Sequence, residues 1–269
     1  VGGSFDKNDE IFRIDWDLLI VDEAHEGTQT QLGEAVVNEL KKPSTKLLQL
    51  SGTPFNLFDD DISKGVFTWD YIMEQRAKEE WKEELLGPNP YAGLPRMNIL
   101  TYDISDVDPR YSSYTEDKYF NFREFFRVGE NGSFLHHDDV LAFLNLLCKK
   151  DDESNYPFST EEYRKNFKHT FWMLPGVKEA RALSEMLHTH PILGAFHIVN
   201  VAGEGDNSNE YDYEREQRAL DQVKNAIAKY PNGTITLSCG RLSTGVTVPE
   251  WTAVFMLAGS YSTAAASYM

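Results

Sequence analysis

Two blocks of this chain alternate short apolar runs with longer amphipathic stretches, the rhythm of parallel α/β structure. In the first block, "WDLLIVD" (16–22) sets four apolar residues between acids and predicts a buried strand. "TQTQLGEAVVNELKKP" (28–43) puts Leu32, Val36 and Leu40 on one helical face, with Lys41 and Lys42 suiting the C-terminal dipole and Pro43 ending the run. "TKLLQLSGTPF" (45–55) predicts a second strand that breaks at Gly52 and Pro54. The second block repeats the pattern with strands at "HTFWMLP" (169–175), "FHIVNVAG" (196–203), "TITLSC" (234–239) and "TAVFMLA" (252–258). Helices separate the first three: "GVKEARALSEMLHTH" aligns Ala180, Leu183 and Leu187, and "YDYEREQRALDQVKNAIAKYPNG" aligns Leu220, Val223, Ile227 and Tyr230.

The intervening chain is less regular. It predicts a charged helix over 68–87, a strand at "RMNILTYDI" (96–104) and a helix over 136–150 with Asp138 and Asp139 at its start. A polar shift in "KKDDESNYPFSTEEY" marks a domain boundary near 150–165. No internal repeat or low-complexity tract interrupts the pattern.

With 269 residues, 41% of them apolar and 13% aromatic, the chain can bury a sizeable core in one large or two ordinary domains. Its 26 basic and 43 acidic residues leave a formal charge of −17, which disfavours bulk electrostatic binding to nucleic acid but leaves room for a local basic groove. Cys148 and Cys239 lie far apart and in no CxxC pair, so no disulfide framework or zinc site is implied and a reducing, cytoplasmic setting is expected. No apolar run reaches the length of a membrane span, so no membrane partner is expected. The first residues, "VGGSFDKNDE", lack the basic start and apolar core of a signal peptide. A start without Met and an end at "AAASYM" without a helix stop lead us to expect a fragment of a longer protein.

Three stretches carry candidate chemistry. Asp22 and Glu23 stand at the carboxyl end of a predicted parallel strand, where ligands of open α/β sheets gather. One carboxylate there suits Mg²⁺ held through water, and its neighbour can orient and deprotonate an attacking water. His25 can link that edge to the adjacent strand. Ser51, Gly52 and Thr53 let the chain turn sharply beside the acids, with hydroxyls in reach of Asp22 or His25. In "LSCGRLSTGVTVPEW" (237–251), Gly240 and Gly245 bracket Arg241, Ser243 and Thr244, a composition suited to reading phosphates with backbone N–H groups and hydroxyls. The ordinary alternatives are solvated acids at a strand end and two plain turns.

"LLIVDEAHEG", "LQLSGTPF" and "SCGRLSTGVTVPEW", in this order, resemble motifs II, III and V of superfamily 2 helicases and translocases. The chain is most similar to the ATP-dependent motors of type I and type III restriction enzymes and related restriction-associated helicases. The resemblance implies two RecA-like lobes with parallel sheets, the first incomplete and carrying an irregular, mostly helical insertion. Residues 1–55 would close the first lobe, 56–160 would form the insertion and interlobe connection, and 161–269 would form most of the second lobe. Asp22 would hold the Mg²⁺ of Mg-ATP and Glu23 would be the general base. His25, Ser51 and Thr53 would couple nucleotide state to lobe movement. Arg241, Thr244, Gly245 and Thr247 would contact nucleic acid or the interlobe cleft, although many relatives carry Asp where Thr247 stands. The implied partners are DNA and other subunits or domains of a restriction-modification system.

Such a motor also needs the phosphate loop G-x-x-x-x-G-K-[ST], yet the chain holds no Gly-Lys dipeptide. In relatives that loop lies upstream of motif II, and the arginine finger of motif VI follows motif V. The expectation is a fragment that by itself hydrolyses ATP barely or not at all.

Two rival readings remain. One is a non-catalytic DNA- or protein-binding module on a helicase-like scaffold, for which the acidic surface is apt. The other is a metal-dependent hydrolase using Asp22, Glu23 and His25 with "FLHHDDV". Adjacent histidines at a helix start point apart, whereas ligands share a face, so 136–139 reads better as solvated helix-start residues. His188 and His190 read as partners of a helix C-terminal dipole.

Overall fold

This computed structural model describes residues 9–22, 24, 31–52, 65–100, 120–150, 156–203, 212–243 and 245–258. The chain divides into two compact units, Val1–Tyr102 and Asp103–Met269. Both are α/β, and every named strand pairs in parallel.

The first unit runs through helix α1 (Asp9–Arg13), strand β1 (Leu18–Val21), helix α2 (Gln31–Leu40) and strand β2 (Lys46–Gln49). β1 and β2 pair with Leu18 opposite Lys46 and Val21 opposite Gln49. Such a parallel pair needs a crossover, and the chain segment containing α2 supplies it. Thr45 anchors the entry to β2: its hydroxyl donates to the Trp16 carbonyl at 2.7 Å and accepts from the Lys42 amide at 3.1 Å. Strand β1 is not the buried strand its apolar run predicts. Leu19 and Val21 are half-buried, whereas Leu18 and Ile20 are exposed, as are Leu48 and Leu50 beside them. The alternation reflects a narrow sheet with one face covered and the other open.

Further along, the charged stretch predicted as one helix is two, α3 (Tyr71–Glu80) and α4 (Glu83–Leu86), with extended backbone at Trp81 and Lys82 between them. Asp70 caps α3 by accepting the Met73 amide at 2.8 Å. The break has a local cause. The Trp81 indole donates to the Gly87 carbonyl at 2.9 Å and meets Tyr91 edge-on at 5.8 Å, while Tyr91 stacks on Trp69. Neither helix has a buried residue. The strand predicted at 96–104 is absent over 96–100, and the remainder lies outside the described residues.

The second unit opens with α5 (Phe122–Phe125), α6 (His137–Leu147) and α7 (Glu161–Asn166). There follow β3 (His169–Met173), α8 (Val177–Thr189), a 3-10 turn (Leu193–Ala195), β4 (His197–Asn200), α9 (Asp212–Lys229), β5 (Thr234–Ser238) and β6 (Ala253–Met256). The strand order is β4-β5-β3-β6. Both faces of the central strands β3 and β5 are covered, as a parallel sheet requires, while Val254 on the edge strand β6 stays exposed. On one face Trp172, Ile198, Ile235 and Leu237 pack with α6 and α8 through Phe143, Leu144, Leu183 and Leu187. On the other, Phe171, Met173, Val199 and Val201 pack with α9 through Ala219, Val223 and Ala226. The aromatic segment 120–148 belongs to the first of these cores: Phe125, Phe126 and Phe143 meet edge to face, at 4.9–6.3 Å between ring centres.

Three histidines lie toward the amino edge of this sheet. His169 Nδ1 lies 3.0 Å from Thr234 Oγ1, and the His197 ring stacks on Tyr230 at 3.7 Å. His190 is not the cationic dipole partner expected. Its Nδ1 accepts from the amides of Ile192 and Leu193 at 3.2 and 3.1 Å, and burial holds its pKa below the ordinary imidazole value. His136 and His137 turn to different carboxylates, Glu124 at 3.0 Å and Asp138 at 3.1 Å.

Candidate functional site

In the first unit, the carboxyl ends of β1 and β2 are held side by side. The Leu50 amide donates to the Val21 carbonyl and the Ala24 amide to the Leu50 carbonyl, each at 2.9 Å. Asp22 is therefore exposed in the turn after β1, and Ser51 half-buried just after β2, at adjoining strand ends. Glu23, His25 and Thr53 lie outside the described residues. Among the described residues, no three His, Cys, Asp or Glu side chains gather as a metal cluster.

In the second unit, a cavity of about 460 Å³ opens at the carboxyl ends of three parallel strands, the edge where α/β sheets take ligands. Each wall follows from the topology. Val177 and Arg181 come from the start of α8, after β3; Asn200, Val201 and Gly203 from the end of β4; and Arg241 from the loop after β5. Helix α9 adds Arg215 and Arg218 with Ala219 and Gln222. Residues three and four apart share a helical face, so burying Ala219 and Val223 against the sheet leaves the two arginines at its rim.

Four arginines thus line one pocket of a chain whose formal charge is −17. Arginine stays charged at any physiological pH, and its planar fork matches the oxygens of phosphate and carboxylate. Arg218 Nε donates to the Glu214 carbonyl of its own helix at 3.3 Å. The half-buried Arg241 donates from Nη1 to the Val201 carbonyl at 3.5 Å. Behind it, burial pushes the Cys239 thiol above its ordinary range, Arg241 pulls it partly back, and Glu179 raises it.

The loop that carries Arg241 is sharply bent. Gly240 and Gly245 both have positive φ, and so does Leu242, at 60°. A left-handed backbone costs a branched residue about 1–2 kcal/mol. Burying a leucine side chain contributes about 1.5–3 kcal/mol, and Leu242 is 2% exposed in the core beneath α9. Packing therefore sustains the bend. Gly245 and Thr247 are exposed further along, and Thr244 lies outside the described residues.

Of the residues singled out by sequence, Arg241 lies in the cavity wall, and Asp22 and Ser51 follow two adjoining strands of the other unit. Arg181, Arg215 and Arg218 escaped notice. The available signal was a basic residue near the start of each helix that follows a predicted strand of the second block, doubled as "REQR" in α9.

The chain is similar to a Mycoplasma pneumoniae protein described as "Putative type II restriction enzyme and methyltransferase RM.MpnORF110P C-terminus". The two are 27% identical over 316 residues, covering 94% of this chain and 42% of that protein. The chain therefore spans less than half the length of the curated relative it matches. No family model matches the chain, and no solved structure does.

Proposed function

We propose that this chain is part of an ATP-dependent DNA helicase or translocase, the motor component of a restriction-modification system, and that the second unit's arginine pocket receives phosphates of the DNA backbone. The observation that carries the reading is the convergence of Arg181, Arg215, Arg218 and Arg241 at the carboxyl edge of a parallel sheet. Backbone phosphates supply most of the affinity of sequence-independent binding, and guanidiniums are suited to them. The order β4-β5-β3-β6, with helices on both faces, is compatible with a RecA-like lobe. The similarity to a restriction enzyme and methyltransferase supplies the biological context. In the first unit Asp22 would hold Mg²⁺ through water, Glu23 would activate the attacking water, and Ser51, Thr53 and His25 would couple nucleotide to movement. Gly245, Thr247 and Thr244 would complete the nucleic-acid loop around Arg241.

The test is salt-dependent binding of a labelled single-stranded oligonucleotide and of a duplex to the full-length protein, with Arg215→Gln and Arg241→Gln as variants. Each variant should weaken binding and reduce the salt slope by about 0.7 on single strands or 0.9 on duplex. Unchanged slopes in both overturn the pocket assignment. Competition by ATP or pyrophosphate at equal ionic strength, with no competition by DNA, would reassign the arginines to a nucleotide.

A second reading, a non-catalytic binding module, is favoured by the apolar surface of the first unit, where Phe67 is 85% and Leu85 77% exposed. Mg-ATP hydrolysis by the full-length protein, abolished by Glu23→Gln, separates the two. The module reading expects no turnover to abolish.

A further inference from the structure

Arg241 reaches the pocket from a loop, and its side chain packs against the backbone at the end of β4. Its guanidinium lies against Gly203, whose φ is +94°. A β-carbon on Gly203 would come within 2.9 Å of Arg241 Cζ and Nη2 and 3.0 Å of Nη1, so any side chain there pushes the guanidinium from this place. Val201, two residues earlier, accepts Nη1. The Arg241 backbone is fixed as well: Ser238 Oγ donates to the Arg241 carbonyl at 2.6 Å, and Leu242 is anchored in the core. Arg181 and Arg218 are exposed on their helices, and Arg215 is half-buried as Arg241 is.

We propose that Gly203, Ser238 and Leu242 are positioning residues that hold the Arg241 guanidinium in place before any ligand arrives, making it the preformed phosphate contact of the pocket. The inference rests on the phosphate reading of that pocket. Fixing a binding group in its bound geometry removes an ordering cost from association. It also lets a neutral substitution at Gly203 act like the loss of a charge at Arg241.

The test uses the full-length protein and a labelled oligothymidylate, titrated over a range of salt concentrations. Gly203→Ala should weaken binding several-fold and lower the salt slope by about 0.7, one single-strand phosphate contact, as Arg241→Gln does. The double variant should bind no worse than Arg241→Gln alone, because both changes remove the same contact. A role limited to folding would lower the thermal midpoint but leave the slope at its wild-type value. Ser238→Ala, which deletes one hydroxyl, guards against a misfolded glycine variant. It should weaken binding in the wild-type background and have no effect beside Arg241→Gln. If Arg241→Gln lowers the slope while Gly203→Ala and Ser238→Ala leave it unchanged, the positioning role is overturned and the pocket stands. If Arg241→Gln and Arg215→Gln are both silent, the phosphate reading itself has failed.

Discussion

The two units are built from the same strand–helix–strand grammar but enclose very different interiors. In Asp103–Met269, four parallel strands have a helix layer on each side, and Trp172, Ile235 and Leu237 lose all contact with solvent. Among the described residues of Val1–Tyr102, two strands leave Leu18, Ile20, Leu48 and Leu50 exposed, and neither α3 nor α4 has a buried residue. Parallel pairing is stable when both faces are covered, and two strands alone are marginal. The second unit therefore combines a closed core with an arginine-lined pocket, while the described part of the first offers open apolar surface and a short acidic strand end.

Substitution in the two sheets should break or sharpen that contrast most strongly. Trp172→Ala removes a fully buried ring from the second unit and should cost about 3–5 kcal/mol in denaturant unfolding. Ile20→Ala, at a residue 55% exposed, should cost less than about 1 kcal/mol. Equal losses would mean that the first unit encloses a core as tightly as the second.

Acid should act on the second unit next. Burial lowers the pKa values of His169, His190 and His197, with Lys168 adding to the shift at the first, and His188 and Lys229 at the last. Glu250 opposes it in part at His169. The folded protein thus binds protons less readily than the unfolded chain. Stability holds above the ordinary imidazole pKa of about 6.5 and falls as pH drops below it. Thermal midpoints between neutral and mildly acidic pH should decline accordingly. His190→Asn, which keeps an acceptor for the Ile192 and Leu193 amides, should flatten part of that decline. A profile unaltered by this variant would remove His190 from the account.

The gentlest probe is thiol labelling. Both cysteines of the chain lie in the second unit, and burial pushes Cys148 up to about 11, with Arg164 offsetting part of the shift. The thiolate is the reactive form, so alkylation of Cys148 at mildly alkaline pH should be slow until the second unit opens. Labelling that tracks unfolding of residues 103–269, and stays slow when the first unit is destabilised, would show the units opening independently. Rapid labelling of native protein would contradict the closed core.

The second unit's central strands, β3 and β5, are legible in the sequence because their apolar runs are buried on both faces, as the pattern implies. The first unit's strand is misread for the opposite reason: "LLIV" has the composition of a covered strand, but exposure depends on neighbours that composition does not specify. The helix break at Trp81 is hidden because an aromatic trio joined through Tyr91 overrides helical propensity. The aromatic stretch after residue 120 precedes a polar run that looks like a boundary, yet its rings share a core with β3 and β5. At the site, a glycine-rich loop after a strand draws attention to Arg241. The other three arginines carry no such mark, because only sheet order places the start of α8, the end of β4 and the loop after β5 around one space.

Leu242 also has a mechanical consequence. Its buried side chain fastens the bend just beyond Arg241, and that loop leads directly from β5, which has a strand on each side. Tension on a phosphate held by Arg241 would pass through a few stiff residues into an interior strand, loading the backbone hydrogen bonds to β4 and β3 together. An arginine on a flexible tip would swing before transmitting such a load. Here the buried Leu242 ties the loop to the sheet behind it, an arrangement that the proposed role in moving along DNA would use.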